Sequence, residues 1–268
     1  MKVAVVGHVE WVEFGQVDGV VASGAILRTR RLRAEAAGGG GVAAAELARL
    51  TGACHLQTAV GCDAIGQAVT PALSALGVQV CAASRPEPHR RAVTLLGADG
   101  ERTIVVIGPA QQPLGVEFDA MEGFDGVYFC KGDEAAAKKA RHARIMVGTA
   151  RVLSTFQRSS VQLDALVHSG RDPSEVYREG DLTRPPKLVA TTLGEGGGRW
   201  ASLDGRVGGW EAAPIPGQLK DTYGAGDCFA AGLTFALARG MPPQAAVDFA
   251  ARSGAMALTR SGAHGLCG

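Results

Sequence analysis

The stretch that decides the fold reads DTYGAGDCFAAG and spans residues 221–232. Three small residues, Gly224, Ala225 and Gly226, stand directly before a long helical pattern that begins at Asp227. The first N–H groups of a helix are unpaired and point outward, so small residues there leave room for an anion. A carboxylate at this point is favoured by the helix dipole and can cap the first turn. The segment therefore predicts either a phosphate site with a carboxylate beside it or an ordinary tight turn followed by an N-cap.

The composition is that of one globular domain. A chain of 268 residues lies near the size, ~250–300 residues, at which a single core stops growing. Its 38 glycines are about twice the usual share of roughly 7%, which indicates many tight turns and close backbone approaches. The formal net charge of +1 provides no overall field for a nucleic acid or an anionic membrane. We therefore expect neither of these partners.

The cysteines and the N-terminus point to a reducing compartment. The chain starts MKVAVVG, which lacks the basic and long apolar regions of a secretory signal, and no apolar run approaches the ~20 residues needed to cross a bilayer. No CxxC pair occurs, and free cysteines are far more often small buried hydrophobes than nucleophiles. We expect a soluble cytoplasmic protein. The six cysteines are Cys54, Cys62, Cys81, Cys130, Cys228 and Cys267.

Strand and helix patterns alternate along most of the chain. Short apolar runs such as Val3–Gly7, Leu56–Val60 and Leu188–Thr192 predict buried strands, and helical patterns such as Ala64–Ala75 lie between them. This alternation predicts an α/β fold with a mostly parallel sheet. Further strands are predicted at Val78–Ala82, Val127–Cys130, Ile145–Val147, Ala165–Val167, Trp200–Leu203 and Val207–Trp210. Further helices are predicted at Asp133–Arg144, Thr155–Val161, Pro173–Arg178, Asp227–Arg239 and Pro243–Thr259, and another is predicted after Gly41.

A second group of strand patterns lies outside this alternation. Between Val12 and Ala37, short stretches such as Gly19–Val21 and Ile26–Arg33 are separated by turn residues. Farther on, Ala92–Gly97 and Arg102–Ile107 flank the run Ala-Asp-Gly-Glu at 98–101, and Asp-Gly between alternating hydrophobics is a strong hairpin signal. We therefore expect a small β lid from residues 12–37 and 90–110 on a single domain spanning 1–268.

The twelve residues 221–232 resemble the C-terminal signature of the PfkB carbohydrate kinases, which reads D-T-x-G-A-G-D-x-F-x-x-G. The resemblance implies a three-layer ribokinase-like fold with a mostly parallel central sheet, helices on both faces and a small β-sheet lid. It further implies that Asp227 is the general base and that the amides of Gly224, Ala225 and Gly226 hold the γ-phosphoryl group of ATP. Phosphoryl transfer needs positioning and charge stabilisation more than covalent chemistry, and such a site offers both.

Two more stretches resemble the nucleotide-binding parts of the same family. Residues 191–197, TTLGEGG, are similar to its T-x-G-x-x-G run, although a plain glycine turn before a hairpin is also compatible. Residues 249–251 and 258–263 resemble the helix and the loop that cover the adenine. The resemblance implies that the nucleotide is contacted by Thr192, Gly194, Gly197 and Ala251 and, near its phosphates, by Arg151 and Ser169.

The resemblance also implies cations, with departures from the family pattern. The family usually has an Asn and, three residues later, a Glu that organise magnesium and phosphate, and here Ser169 and Asp172 occupy these positions. Both residues can still order magnesium-bound water. Asp221 and the carbonyls around 260–262 fall where some family members hold a potassium ion. Mg²⁺ is thus an expected cofactor with Asp172 and Asp221 as candidate metal residues, and K⁺ is an optional one.

The acceptor side differs most from the family. The block Gly38–Gly41 before a helix resembles the first glycine motif, where the acceptor sugar is held, which implies that Gly38, Gly39, Gly40 and Asp227 bind substrate. Family members usually carry an Asp after the first strand and a Lys and an Asn in this motif. Here residues 7–14 read GHVEWVEF, and Gly40 and Ala43 stand at the Lys and Asn positions, so ribose is not expected. Glu10 or Glu13 are candidates to accept hydroxyl hydrogen bonds, and Trp11 or Phe14 either stack on a ring or pack in the core.

Together these features favour ATP-dependent phosphotransfer to a hydroxyl of a sugar, a sugar acid or a nucleoside. A second hypothesis is a non-catalytic nucleotide- or metabolite-binding protein that retains the fold; the altered acceptor motif and Ser169 favour it, and the intact Asp227 argues against it. A Rossmann dehydrogenase is not supported, because no GxGxxG follows Val3–Gly7. By analogy with the family, a homodimer through the lid is also expected.

Overall fold

The computed structural model of the protein describes residues 1–97 and 102–265, except for the side chain of Arg31. The predicted turn at 98–101 and Cys267 lie outside the described residues. Within them there are thirteen strands: β1 (Val3–Val6), β2 (Glu10–Val17), β3 (Thr29–Ala37), β4 (Cys54–Gly61), β5 (Val78–Arg85), β6 (Arg91–Leu96), β7 (Arg102–Ile107), β8 (Gly126–Phe129), β9 (Ile145–Thr149), β10 (Ala165–Ser169), β11 (Leu188–Thr192), β12 (Gly198–Ser202) and β13 (Val207–Trp210). The same ranges contain six α-helices: α1 (Gly38–Thr51), α2 (Ala64–Ser74), α3 (Glu134–Ala140), α4 (Leu153–Ser159), α5 (Ala225–Ala238) and α6 (Pro243–Ala257).

The larger sheet is mostly parallel. As far as the structure describes it, nine strands follow one another in the order β13-β12-β11-β10-β9-β8-β1-β4-β5. The strands from β11 to β5 run parallel, and β12 and β13 form an antiparallel hairpin at one edge. Every residue of β1 and β8 is buried, as expected for parallel strands covered on both faces. The predicted parallel α/β architecture is confirmed.

Side chains of β1 alternate between two buried cores. Val3 and Val5 pack into a cluster shared with α1, α5 and α6, whereas Ala4 and Val6 pack into a second cluster shared with α3 and α4. Alternation of this kind follows from the two-residue period of a strand. The sheet therefore forms the middle of three layers, with helices on both faces.

Two kinds of helix start are present. Asp63 and Asp133 accept hydrogen bonds from first-turn amides of α2 and α3, which is ordinary N-capping. Helix α1 instead begins inside the glycine block, at Gly38, earlier than the run of helix formers alone would predict. A Cβ atom at Gly40 would lie 2.6 Å from the carbonyl oxygen of His8. Glycine is needed there because the first turn of α1 presses against the chain that leaves β1.

The predicted small sheet is present and forms a lid beside the main sheet. Within the described ranges its strand order is β3-β2-β6-β7, with β2 and β6 parallel and the other two pairs antiparallel. Strand β2 begins at Glu10, slightly before the predicted start of this region. We call these four strands the lid sheet.

No helix in the described part of the chain has the length and apolar character needed to span a membrane.

Three local predictions are wrong. Gly19–Val21 is not a strand but belongs to the connection between β2 and β3, because β2 ends after a register shift at Gln16/Val17 and the turn-forming Asp18 and Gly19 follow. Helix α3 ends at Ala140 and not at the predicted Arg144. After it, hydrogen bonds between residues three apart, such as that from Ala143 N to Ala140 O, form turns in place of further α-helix. The predicted helix at Pro173–Arg178 is only a single 3₁₀ turn at Pro173–Glu175.

Candidate active site

The N-terminus of α5 presents free amides. Gly224 precedes the helix with a left-handed backbone (φ 74°), and a Cβ atom there would lie 2.8 Å from Cγ1 of Val42, so glycine is required for both conformation and space. Among the described residues, the N–H groups of Gly224, Ala225 and Gly226 have no hydrogen-bond acceptor. A Cβ atom at Gly226 would meet nothing within 4 Å. The three amides are therefore open to an anion.

Asp227 faces a gap between two helix N-termini. Its side chain is mostly buried, and its Oδ1 atom lies 3.1 Å from Nη1 of Arg151. On the other side, a Cβ atom at Gly39 would lie 3.1 Å from the same oxygen. The carboxylate of Asp227 thus lies beside the first turn of α1, which has no side chains at its glycines, and next to the free amides at the N-terminus of α5. It is held by a charged partner and is not turned into the apolar core.

Arg151 joins Asp227 to a second carboxylate. It follows the carboxyl end of β9, and its Nε atom donates to Oε1 of Glu175 in the 3₁₀ turn after β10. The negative charge of Asp227 raises the pKa of Arg151 above its ordinary value. Glu175 was not predicted as a site residue. Its partner is 24 residues away in sequence, and no local pattern indicates such a pairing.

Of the three predicted substrate glycines, Gly38 and Gly39 lie on the α1 side of the gap. Gly38 has a left-handed backbone (φ 72°), and a Cβ atom there would lie 2.9 Å from the amide nitrogen of Glu10. Its own amide donates to Oη of Tyr223 at 3.3 Å. Gly39 faces Asp227 and Gly40 packs against the chain after β1. The structure therefore brings Gly38, Gly39, Glu10 and Asp227 together.

Glu10 has two further polar neighbours that sequence reasoning missed. Its Oε1 atom lies 2.7 Å from Nε of Arg90 and 3.9 Å from Nε2 of His8. Burial raises the pKa of Glu10, and the positive charge of Arg90 opposes this rise. Burial, followed by the positive charges of Arg90, Lys131 and Arg151, lowers the pKa of His8 to about 3, so its imidazole is neutral at neutral pH. The position of His8 directly after a parallel strand is a signal that could have identified it.

The other acceptor candidates from the sequence are engaged elsewhere. Glu13 forms an ion pair with Arg91 on the neighbouring lid strand. The ring of Phe14 packs at right angles to that of Tyr223, with centroids 4.9 Å apart, and Trp11 packs against the main core. Of the two glutamates, Glu10 is the one beside Asp227, whose charge also raises the pKa of Glu10. Both aromatic side chains pack within the protein.

Most of the predicted nucleotide residues lie at or just after the carboxyl ends of neighbouring strands. Thr192 ends β11 and is paired with Ser169, the last residue of β10. Gly194 and Gly197 have left-handed backbones, and a Cβ atom at Gly197 would lie 2.1 Å from Trp210 O. Ala251 lies on α6, half-buried against the core. Ligands of open α/β sheets bind along this edge, which also carries the chain after β1 and β9.

The candidate metal residues have separate partners. Oγ of Ser169 accepts from the amides of Arg171 and Asp172, at 3.1 and 3.0 Å. Oδ1 of Asp172 accepts from N and Oγ of Ser174, and these hydrogen bonds lower the pKa of Asp172. Asp221 instead contacts Arg102 of the lid and the amide of Gly262. In the described ranges, no three His, Cys, Asp or Glu side chains are grouped as a metal site would require.

Comparison with known proteins supports the resemblance found in the sequence. The model of the pfkB family carbohydrate kinases matches residues 172–266, which include the segment at 221–232. No curated protein matches the chain. The match of this C-terminal third confirms the predicted resemblance to the PfkB family.

Solved structures match over nearly the whole chain. Ribokinase from Thermotoga maritima has a TM-score of 0.79 at 20% identity, covering 98% of this chain and 95% of its own. Ribokinase from Cryptococcus neoformans var. grubii in complex with ADP gives 0.76 at 22% identity, with 98% and 95% covered. A nucleoside kinase from Methanocaldococcus jannaschii gives 0.77 at 16% identity, with 98% and 94% covered. The predicted ribokinase-like fold is confirmed, and the predicted enzyme class agrees with both comparisons.

Proposed function

Because the chain has a ribokinase-like fold and carries the pfkB signature near its C-terminus, we propose that it transfers the γ-phosphoryl group of ATP to a hydroxyl of a small molecule. The acceptor is a sugar, a sugar acid or a nucleoside. One observation carries the proposal: the carboxylate of Asp227 lies between the free amides of Gly224–Gly226 and the bare surface of Gly39. A phosphoryl group and an alcohol have room to meet beside it.

In the proposed reaction, the acceptor hydroxyl approaches along Gly39 and gives its proton to Asp227. Nη1 of Arg151 donates to Oδ1, the oxygen that also lies next to Gly39, and so orients the carboxylate for this transfer. The alcohol oxygen forms a bond to the γ-phosphorus while the bond from that phosphorus to the bridging oxygen of ADP breaks. The amides of Gly224–Gly226 and the guanidinium of Arg151 face the negative charge of the transferring group, which is how such transfers are accelerated.

We propose that the nucleotide lies along the carboxyl ends of β10 and β11. Thr192, Gly194 and Gly197 lie at this edge, and Ala251 of α6 is the further candidate contact. The ADP complex of the Cryptococcus ribokinase supports nucleotide binding by a chain with this fold. The left-handed glycines let the backbone approach a ligand closely. Ser169 and Arg151 are nearest to the phosphates in this arrangement.

The residues present fit a magnesium ion that is bound mainly through the nucleotide. Such ions take only one or two protein carboxylates and keep several waters. Oδ1 of Asp172 is bonded to Ser174, which leaves Oδ2 and the half-exposed Ser169 to order magnesium-bound water. Bound magnesium would neutralise part of the phosphate charge. Asp221, with its arginine partner, is not part of this arrangement.

We propose that the acceptor is recognised by Glu10, His8 and Arg90. A neutral imidazole can both donate and accept a hydrogen bond, Glu10 accepts, and Arg90 donates. These three side chains lie around Gly38 and Gly39, which have no side chains to contact an acceptor. A polyhydroxy acceptor, with several donors and acceptors on one face, matches such a pocket.

We further propose that the protein forms a homodimer through the lid sheet. Strand β7 is at the edge of that sheet, and Ile104, Val105, Val106 and Ile107 are between 43% and 51% exposed. An exposed apolar edge strand is a template for pairing with another strand. The same strand of a second copy would cover it.

The activity is tested by measuring ADP release from ATP with a panel of sugars, sugar acids and nucleosides. We expect at least one acceptor to stimulate ADP release, with formation of its phosphorylated product shown by mass spectrometry. ADP release that is unchanged by every acceptor would contradict a kinase function.

A further inference from the structure

Asp221 lies where the lid sheet meets the C-terminal loop. Its Oδ1 atom accepts from the amide of Tyr223 at 2.9 Å and lies 3.5 Å from Nη1 of Arg102. Its Oδ2 atom accepts from the amide of Gly262 at 3.3 Å. The side chain is only 14% exposed. A carboxylate withdrawn from water to this degree needs a positive partner, and Arg102, from β7, supplies one.

A second carboxylate holds the same loop from the lid side. Glu35, on β3, accepts from the amides of Ala263 and His264, both at 3.0 Å. Its Oε1 atom lies 3.0 Å from Nε of Arg33. A Cβ atom at Gly262 would lie 2.6 Å from Oε1 of Glu35 and 3.2 Å from Nε of Arg33. The loop is therefore held between two carboxylates, and each carboxylate has an arginine of the lid sheet beside it.

The solvent route to Asp221 is lined by positive charge. A cavity of about 970 Å³ between the lid sheet and the C-terminal loop includes Asp221 in its wall. Among the described residues that line it, Asp221 is the acidic one, and the cationic ones are Arg30, Arg33, Arg102 and Lys220. Of these, Arg30 is paired with Asp18 and Arg33 with Glu35. A small cation entering this cavity would meet like charges before it reached the carboxylate.

Some members of the PfkB family hold a potassium ion at the position of Asp221, and the residues present here do not fit one. We propose that the guanidinium of Arg102 is a built-in cation: it supplies the positive charge at Asp221, and the protein binds no monovalent metal ion there. Arg102 is a positioning residue in this account. It acts through Asp221, six residues before Asp227, and so steadies the segment that carries the free amides.

Thermal unfolding in different salts tests this assignment and requires no turnover, so it stands whether or not an acceptor is found. The midpoint temperature of unfolding is measured in KCl and in tetramethylammonium chloride at equal concentration. The organic cation is too large to enter a potassium site. We expect the wild type to melt at the same temperature in both salts. A midpoint higher in KCl by several degrees would overturn the proposal without any variant.

The variant Arg102→Gln removes the charge. In tetramethylammonium chloride we expect the unfolding midpoint of this variant to be ~2–4 °C below that of the wild type, the shift that about 1 kcal/mol gives in a domain of this size. In KCl we expect the midpoint to return to the wild-type value, because the carboxylate of Asp221 can then bind a potassium ion. Arg102→Lys retains a positive charge and should behave like the wild type. Arg30→Gln, in the same cavity but paired with Asp18, is the matched control and should show no difference between the salts. An Arg102→Gln protein that melts like the wild type in both salts would overturn the proposal.

Discussion

Nη1 of Arg151 lies 3.1 Å from Oδ1 of Asp227, and Nε of the same guanidinium bonds to Glu175. The three residues come from the start of α5, the end of β9 and the turn after β10. An arginine between two carboxylates has little freedom to move, so the carboxylate that we propose as the base is oriented before any ligand binds. The same guanidinium faces the gap in which the phosphoryl group would be transferred.

The first prediction concerns this arginine. Arg151→Gln removes the positive charge beside the transferring group, so we expect kcat to fall by ~10²–10³-fold, as for loss of one preorganised stabilising donor. Arg151→Lys should recover only part of the rate, because an ammonium cannot bridge two carboxylates as a guanidinium fork does. Steady-state ADP release measures both. An Arg151→Gln enzyme with the wild-type rate would show that the ion pair is only structural.

The second prediction uses the bare surface of α1. Gly39→Ala would put a methyl group 3.1 Å from Oδ1 of Asp227, in the proposed path of the acceptor. We expect kcat/KM for the acceptor to fall by ~10–10²-fold, the effect of a small misplacement at a reacting centre, with the melting temperature nearly unchanged. The matched control is Gly217→Ala, where the added carbon makes only an ordinary contact, 3.6 Å from Thr259, and where activity should be retained. Equal kinetics in both variants would contradict the acceptor path.

The third prediction concerns pH and stability. The pKa of His8 is lowered to about 3 in the folded protein, chiefly by burial, whereas an unfolded chain has a histidine pKa near 6.5. Between these values the unfolded state binds a proton that the folded state does not, so the free energy of unfolding rises with pH in this window and is lost as the pH falls below ~6.5. His264, with a pKa lowered to about 4 by burial, acts in the same direction.

Urea unfolding between pH 4 and 8 measures this dependence. Each such histidine contributes a slope of up to ~1.4 kcal/mol per pH unit. We expect His8→Gln to reduce the slope below pH 6, and the double variant with His264→Gln to reduce it further. A slope in His8→Gln equal to that of the wild type would show that this imidazole is protonated in the folded protein.

The fourth prediction concerns the edge of the lid sheet. Val105→Lys puts a charge in the centre of the exposed apolar strand β7, so we expect a dimeric wild type to become monomeric. Light scattering coupled to size-exclusion chromatography gives the mass. The matched control is Val207→Lys, on β13 at an edge of the main sheet, where Val207 is 75% exposed and the mass should not change. A wild type that is monomeric at tens of micromolar would contradict the dimer.

Much of the architecture follows from local sequence, because local signals and tertiary packing agree there. Leu188–Thr192 is a strand with the predicted limits, and the small residues before Asp227 do form a helix start with free amides. Local signals failed where a tertiary contact decided the outcome. Val20 and Val21 have strand propensity, but beyond the irregularity in β2 the described part of the chain offers them no partner strand.

The polar network of the site was less predictable for the same reason. Glu175 and Arg90 join the site through side-chain pairings with residues 24 and 80 positions away, Arg151 and Glu10, which no local pattern encodes. The glycines of α1 were predicted as substrate contacts by resemblance. Their packing against His8 and Glu10 depends on the three-dimensional approach of α1 to the chain after β1.

The measurement that tests the central claim most directly compares wild type and Asp227→Asn in acceptor-stimulated ADP release. The amide keeps the shape of the side chain but cannot take the acceptor's proton. We expect kcat to fall by ~10²–10⁴-fold, with the melting temperature and ATP binding nearly unchanged and with Asp204→Asn, an exposed hairpin residue, fully active. Equal turnover in wild type and Asp227→Asn would contradict the role of this carboxylate as the base.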